Sequence, residues 1–212
     1  MSLARLLPFV AVAVLTASCS EDPKPTVSGG AVLRLQTPVC KDAAGAVTPC
    51  PERCNDGGTE LKIAVESTEK NPDGSTIYKL ILDNADGATV KCSISASTFD
   101  LTVGSATRGS LLLTGTLDPK SKVTSGTAST IKGTTTSLTV LTPGGNSYRQ
   151  VTGKPACTVT VNENTGCTMG EGCFKATFAC DYVYDRSLGG ACGINSSGAA
   201  STFVQFANCE VN

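Results

Sequence analysis

ATVKCSIS, residues 88–95, alternates at every position: Val90, Cys92 and Ile94 fall on one side of an extended chain, Lys91 and Ser93 on the other. A period of two is the mark of a half-buried β-strand, and no helical stripe of apolar residues accommodates the same order. The neighbouring segments repeat it. Upstream, Leu61, Ile63 and Val65 share a face opposite Lys62 and Glu66, and Tyr78, Leu80 and Leu82 share the next. Between them lies Asn71-Pro72-Asp73-Gly74, a turn sequence that predicts a hairpin. Asp83 to Gly87 (DNADG) predicts a second turn.

Downstream, Phe99, Leu101 and Val103, then Leu111, Leu113 and Leu117, predict two further strands. Cys157, Val159 and Val161 share a face, as do Phe174, Ala176, Phe178 and Cys180, so Cys92, Cys157 and Cys180 all point to the core. Residues 121–149, opening SKVTSGTASTIKGTTTSLTVL, are rich in Ser, Thr and Gly. Their β-branched content and the run Leu138-Thr139-Val140-Leu141 predict exposed strands at a sheet edge. No stretch of ten residues after Cys19 carries a helical stripe. The expected fold is all-β: an antiparallel β-sandwich, jelly-roll-like in its even strand spacing.

Composition is consistent with one domain. The chain has 212 residues, 40% hydrophobic and 17% charged, with 22 Gly, 10 Pro, 5% aromatic residues and no Trp. Its core must therefore rest on Val, Ile, Leu and a few Phe, with disulfides as the expected supplement. The formal charge is -1, and removing Arg5 with a leader leaves 16 basic against 18 acidic residues. That balance offers no electrostatic footprint for nucleic acid.

The N-terminus carries an address. Arg5 is a positive n-region, Leu6 to Leu15 an apolar h-region, and Ala17 and Ser18 are small residues ahead of Cys19. This arrangement resembles the signal of bacterial lipoproteins, although the leucine that the family usually carries three residues before the cysteine stands one further back, at Leu15, with Thr16 in its place. Cleavage near Ala17 by an ordinary signal peptidase, leaving Cys19 as a spare thiol, is the alternative. The resemblance implies a signal peptide over residues 1–18, a diacylglycerol thioether on Cys19 and an acyl chain on its amino group. Two or more acyl chains anchor a protein stably. No apolar run after Cys19 approaches the roughly 20 residues needed to span a bilayer. Ser20 stands where an Asp would signal inner-membrane retention, so the expected location is the bacterial cell envelope, at the outer membrane. Residues 19–30, with SEDPKPTVSGG after the cysteine, read as a flexible tether, and residues 31–212 as the β-sandwich domain.

Export decides how the other cysteines are read. Cys40, Cys50, Cys54, Cys92, Cys157, Cys167, Cys173, Cys180, Cys192 and Cys209 are expected as disulfides in an oxidising compartment. Their even number agrees: of eleven cysteines, lipidation of Cys19 leaves ten that can pair completely. Cys50-Pro-Glu-Arg-Cys54 has the spacing of half a zinc site, but there is no His and no second pair of similar spacing. Candidate pairings are Cys157 with Cys180, from their inward positions; Cys167 with Cys173, which bracket a glycine-rich loop; and Cys192 with Cys209.

The absence of His excludes Ser-His-Asp and Cys-His catalysis. Ser67-x-x-Lys70 and Ser129-x-x-Lys132 match the Ser-x-x-Lys spacing of penicillin-recognising enzymes, but neither lies on an expected helix and the companion motifs are missing. Asp83, Asn84 and Asp86 cluster beside Gly87, yet an EF-hand placed on that glycine would start at Leu82 and end at Ser93. Asp181 and Asp185 flank Tyr182 and Tyr184 without a recognisable motif. No metal, cofactor or catalytic residue is expected.

Two function classes follow. One is a lipid-anchored structural or adhesion protein of the envelope, presenting loops or its Ser/Thr-rich edge to a protein or glycan partner. The alternative is a polysaccharide-binding module or polysaccharide-acting enzyme, for which exposed aromatics are needed; Tyr148, Tyr182 and Tyr184 are the supply, with Tyr78 expected in the core. Tyrosines lining a groove would favour the second class and a flat polar face the first.

Overall fold

The computed structural model describes residues 24–72, 76–194 and 203–212. Cys19, the signal segment 1–18, the tether up to residue 23, and Asp73 and Gly74 of the expected turn lie outside the described residues. The strands are β1 (Ser28–Gln36), β2 (Cys40–Lys41), β3 (Val47–Thr48), β4 (Glu60–Ile63), β5 (Val65–Lys70), β6 (Thr76–Leu82), β7 (Thr89–Ile94), β8 (Thr98–Ser105) and β9 (Gly109–Leu117). They continue with β10 (Val123–Ser125), β11 (Ala128–Leu141), β12 (Ser147–Arg149), β13 (Thr158–Glu163), β14 (Phe174–Asp185), β15 (Gly190–Ile194), β16 (Phe203–Ala207) and β17 (Glu210–Val211). Among the described residues the helical content is three single 3-10 turns.

One sheet, coiled on itself, makes the sandwich. Its order runs β17-β7-β8-β9-β11, through β12 and β13 to β14, then β15 and β16 to β1, and ends at β6 and β5. All pairings are antiparallel except the parallel β17–β7. The alternating positions pack between the layers: Val90, Cys92 and Ile94 of β7, Leu101 and Val103 of β8, and Val159 and Val161 of β13 are all buried. Phe99 of β8 meets Phe174 of β14 across the core, ring centroids 5.2 Å apart. The expected all-β, antiparallel sandwich is thus what this pattern builds.

Of the Ser/Thr-rich segment 121–149, only the short, exposed β10, which pairs with β11 alone, is an edge; its main strand is not. Strand β11 lies inside the sheet, between β9 on one side and β13 and β12 on the other, with Ile131, Leu138 and Val140 buried. A bulge between Thr135 and Ser137 lets one long strand serve two partners in succession. Sparse apolar residues suffice because only one face is covered, and threonine suits the other, exposed face.

The domain also begins earlier than expected. Gly29 and Gly30, which read as part of a flexible tether, are buried in β1. A Cβ at Gly29 would stand 2.4 Å from the Phe206 ring, and one at Gly30 2.8 Å from the Ala64 carbonyl, so both glycines permit close approach rather than disorder.

Hairpin β5–β6 forms as its turn sequence predicts, with Lys70 opposite Thr76. Its first strand, however, starts at Val65: Ala64, at φ 55°, breaks the chain from β4, which pairs with β1 instead. The expected inward face of β6 also changes. Ile81 is buried and Leu82 47% exposed, because β6 pairs with the body only at Ile81 and Leu82, opposite Gly29 and Ser28.

Glu163, buried at the end of β13, accepts hydrogen bonds from Lys122 Nζ (2.8 Å), Ser129 Oγ (2.7 Å) and the Met169 N–H (3.1 Å). Burial alone pushes its carboxyl up, but the three donors and the lysine charge outweigh it and hold the group below its ordinary value of 4.5. A lowered carboxylate stabilises the fold above the unfolded pKa, and that contribution is lost as pH falls through the folded value. The melting temperature of Glu163→Gln should therefore lie below wild type at pH 7, with the gap closing below about pH 4.5. A gap that stays constant across that range would remove the carboxylate from the account.

Candidate functional site

The ten cysteines expected as disulfides form five bridges: Cys40–Cys50, Cys54–Cys192, Cys92–Cys209, Cys157–Cys180 and Cys167–Cys173. Cys157–Cys180 and Cys167–Cys173 match the expectation. Cys192–Cys209 does not, because Cys192 of β15 faces the 54-loop while Cys209 follows β16 to the far edge of the sheet, beside β7. Cys50 and Cys54, the half zinc site, belong to two different bridges.

The remaining sequence candidates are occupied locally. Asp83 accepts from the Val90 N–H at 2.7 Å and from the Asn84 amide at 3.0 Å, holding the turn between β6 and β7, and Asp86 faces Arg108 at 3.8 Å. Asp181 pairs with Lys41 at 2.7 Å, and Asp185 accepts the N–H groups of Ser187 and Leu188. Ser67 and Lys70 both lie on β5, and Ser129 and Lys132 both on β11, where residues three apart point to opposite faces. Neither pair can place the amine beside the hydroxyl as a helix turn would.

Of the tyrosines, Tyr148 is buried and donates to Asp56; burial and that hydrogen bond push its hydroxyl far up. Tyr182 is buried beneath the Lys154 ammonium, 4.5 Å from the ring centroid. Tyr78 differs from expectation. It is half-buried outside the sandwich, because hairpin β5–β6 arches over the outer face of the sheet and sets its ring 5.0 Å from that of Phe203 on β16, tilted by 58°. Burial, and then the charge of Glu60, push the Tyr78 hydroxyl up.

Beneath the hairpin is a cleft of about 380 Å³. Thr76, Ile77 and Tyr78 form its wall, and Phe203, Gln205, Lys175, Thr177 and Asn162 its floor. The floor follows from register. Lys175 stands opposite Gln205, and Thr177 opposite Thr160, which in turn stands opposite Lys132. Directly opposed residues share a face at Cβ separations of about 5 Å. Among the described residues, the side chains of Lys175, Thr177 and Gln205 make no hydrogen bond within the protein.

The cleft opens onto a wider polar surface. Thr158, Thr134, Thr116 and Thr98 lie opposite one another across β13, β11, β9 and β8, all exposed. The hydroxyls of Thr116 and Thr134 are 3.5 Å apart, and those of Thr114 and Thr136 2.9 Å apart. Sequence reading picked out the Ser/Thr-rich 121–149 segment but missed the rest of this surface, because its members are spread over six strands; the Thr-x-Thr spacing at 114–116, 134–136 and 158–160 is the signal that points to it. Chemically it offers hydroxyls, amides, one aromatic pair and lysines, which are groups for binding. Among known proteins, no family model, no curated protein and no solved structure matches the chain.

Proposed function

We propose that this protein is a lipid-anchored binding or adhesion protein of the bacterial cell envelope, held at the outer membrane through Cys19 and presenting the outer face of its β-sandwich to an envelope protein or glycan. The observation that carries the reading is that face: a broad, hydroxyl-lined surface at the centre of a sheet, with a cleft in which the side chains of Lys175, Thr177 and Gln205 are unspent. Five disulfides support an oxidising compartment. The chain enters the domain at Thr26, whose carbonyl accepts from Asn208, while the bridges Cys40–Cys50 and Cys54–Cys192 follow the other end of β1. That doubly bridged pole thus lies at the opposite end of β1 from the point where the anchored chain would enter.

The aromatic pair of Tyr78 and Phe203 favours the alternative within the same frame, a polysaccharide-binding module. Anchoring is tested by metabolic labelling with a palmitate analogue in the native host. Wild type is expected to carry label and Cys19→Ala to accumulate as an unlabelled, larger precursor. Normal labelling of Cys19→Ala would overturn the anchor.

A further inference from the structure

We infer that the cleft between hairpin β5–β6 and the outer face of β16, β14 and β13 binds a linear, carboxylate-bearing polysaccharide. The inference rests on the proposed reading of that face as the contact surface and adds the class of ligand.

Charge is the first argument. The chain as a whole has one more acidic than basic residue. Yet the outward positions of β16, β13, the first half of β14 and β11 from Thr130 to Thr134 include Lys175 and Lys132 and no Asp or Glu. Lys70, whose ammonium donates to the Thr76 hydroxyl, adds a third cation at the cleft wall. The carboxylate that acts on Tyr78, Glu60, lies on β4 and has Lys62 at 3.7 Å. On the floor an anionic ligand would thus meet Lys175 and Lys132 with no carboxylate among the outward positions; on the hairpin, Glu66 is paired with Lys79 at 2.8 Å and Glu69 stands opposite Ile77.

Shape and chemistry are the second. The Tyr78 ring on the wall and the Phe203 ring on the floor give a half-exposed apolar corner suited to the C–H face of a sugar ring, since aromatic edges and faces pack well against such surfaces. Beside them, the unspent Gln205 amide and Thr177 hydroxyl offer donors and acceptors for sugar hydroxyls. The floor continues along Thr160 to Lys132, so a chain lying across the strands reaches a second ammonium two strands further on. An extended polymer with repeated carboxylates fits that progression, whereas a small anion would use Lys175 alone.

The test is affinity electrophoresis of the detergent-extracted, full-length protein in gels containing polygalacturonate or, in parallel, uncharged dextran. Polygalacturonate should retard the protein and dextran should not, with retardation falling as salt is raised. Lys175→Gln should weaken binding about five- to tenfold, as loss of one charge-assisted hydrogen bond in a half-exposed cleft implies. Tyr78→Leu, which keeps an apolar side chain at the wall, should also weaken it without lowering the melting temperature of the domain. Lys91→Gln, on the exposed side of β7, should bind as wild type does. Equal retardation by dextran, equal effects of Lys175→Gln and Lys91→Gln, or no retardation by polygalacturonate would each overturn the assignment. Because the assay uses extracted protein, a chain that lacks lipid but binds polygalacturonate would sink the anchor alone, and a lipidated chain that ignores polygalacturonate would sink this site alone.

Discussion

Paired replacement of Cys54 and Cys192 by Ala should cost about 5 kcal/mol of stability, and paired replacement of Cys167 and Cys173 about half as much. The reason is the length of chain each bridge closes: 138 residues for the first and 6 for the second. A cross-link restricts the unfolded ensemble in proportion to the logarithm of that length, so the longer loop loses more entropy when it is tied. Cys92–Cys209, separated by 117 residues, should resemble the long bridge. A loss of about 5 kcal/mol is comparable to the whole stability of many domains, so the Cys54/Cys192 pair should be largely unfolded at growth temperature. Urea denaturation of the paired variants measures this directly. Equal losses for the long and the short bridge would show that native-state packing, and not chain entropy, dominates.

Phe174→Ala should be the most damaging single substitution in the core, at about 3–5 kcal/mol. Phe174 is completely buried, stands opposite Phe206 in the β14–β16 register, and packs on Phe99 from the other layer. Its removal opens a cavity where the two layers meet. The surroundings have little freedom to collapse into it. The Phe99 ring already lies over Gly115, where a Cβ would approach it to 2.3 Å, so the ring is held by its own close contact. Phe174→Leu, which refills most of the volume, should cost far less, about 1 kcal/mol. Calorimetry of both variants checks the pair; similar losses would mean that the site relaxes and that the ring's volume is not what matters.

The period-two pattern was sufficient for the strands because it reports a local fact, that one face of each segment is covered. It identified the inward set of β7, β8, β13 and β14 residue by residue, including the inward cysteines. It failed where covering depends on partners elsewhere in the chain. Tyr78 has the right spacing for a core residue, but its hairpin leaves the body at Ala64 and arches outward, carrying the ring to the cleft. The Ser/Thr-rich residues 121–149 look like an exposed edge because exposed strands of either kind need one polar face. Only the pairing with β9 and β13 distinguishes an edge from a centre.

The same division holds for the candidate site. Its aromatic pair joins residues 78 and 203, and its floor joins residues 175, 177 and 205, separations across which a single sequence holds no signal of contact. The complete pairing of the ten cysteines after Cys19 was legible from their even number, and so was a bridge across a six-residue separation, because a short loop brings its own ends together. The long bridges were not. Cys54–Cys192 and Cys92–Cys209 join segments that meet only after the sheet has coiled on itself. The sequence by itself determined an all-β, disulfide-bonded domain with a covered and an exposed face on each strand, because those properties arise within a few residues. The tertiary structure alone decided which strands are neighbours, and therefore where the lysines, threonines and rings of the outer face converge, because register across a sheet is set by packing between distant segments.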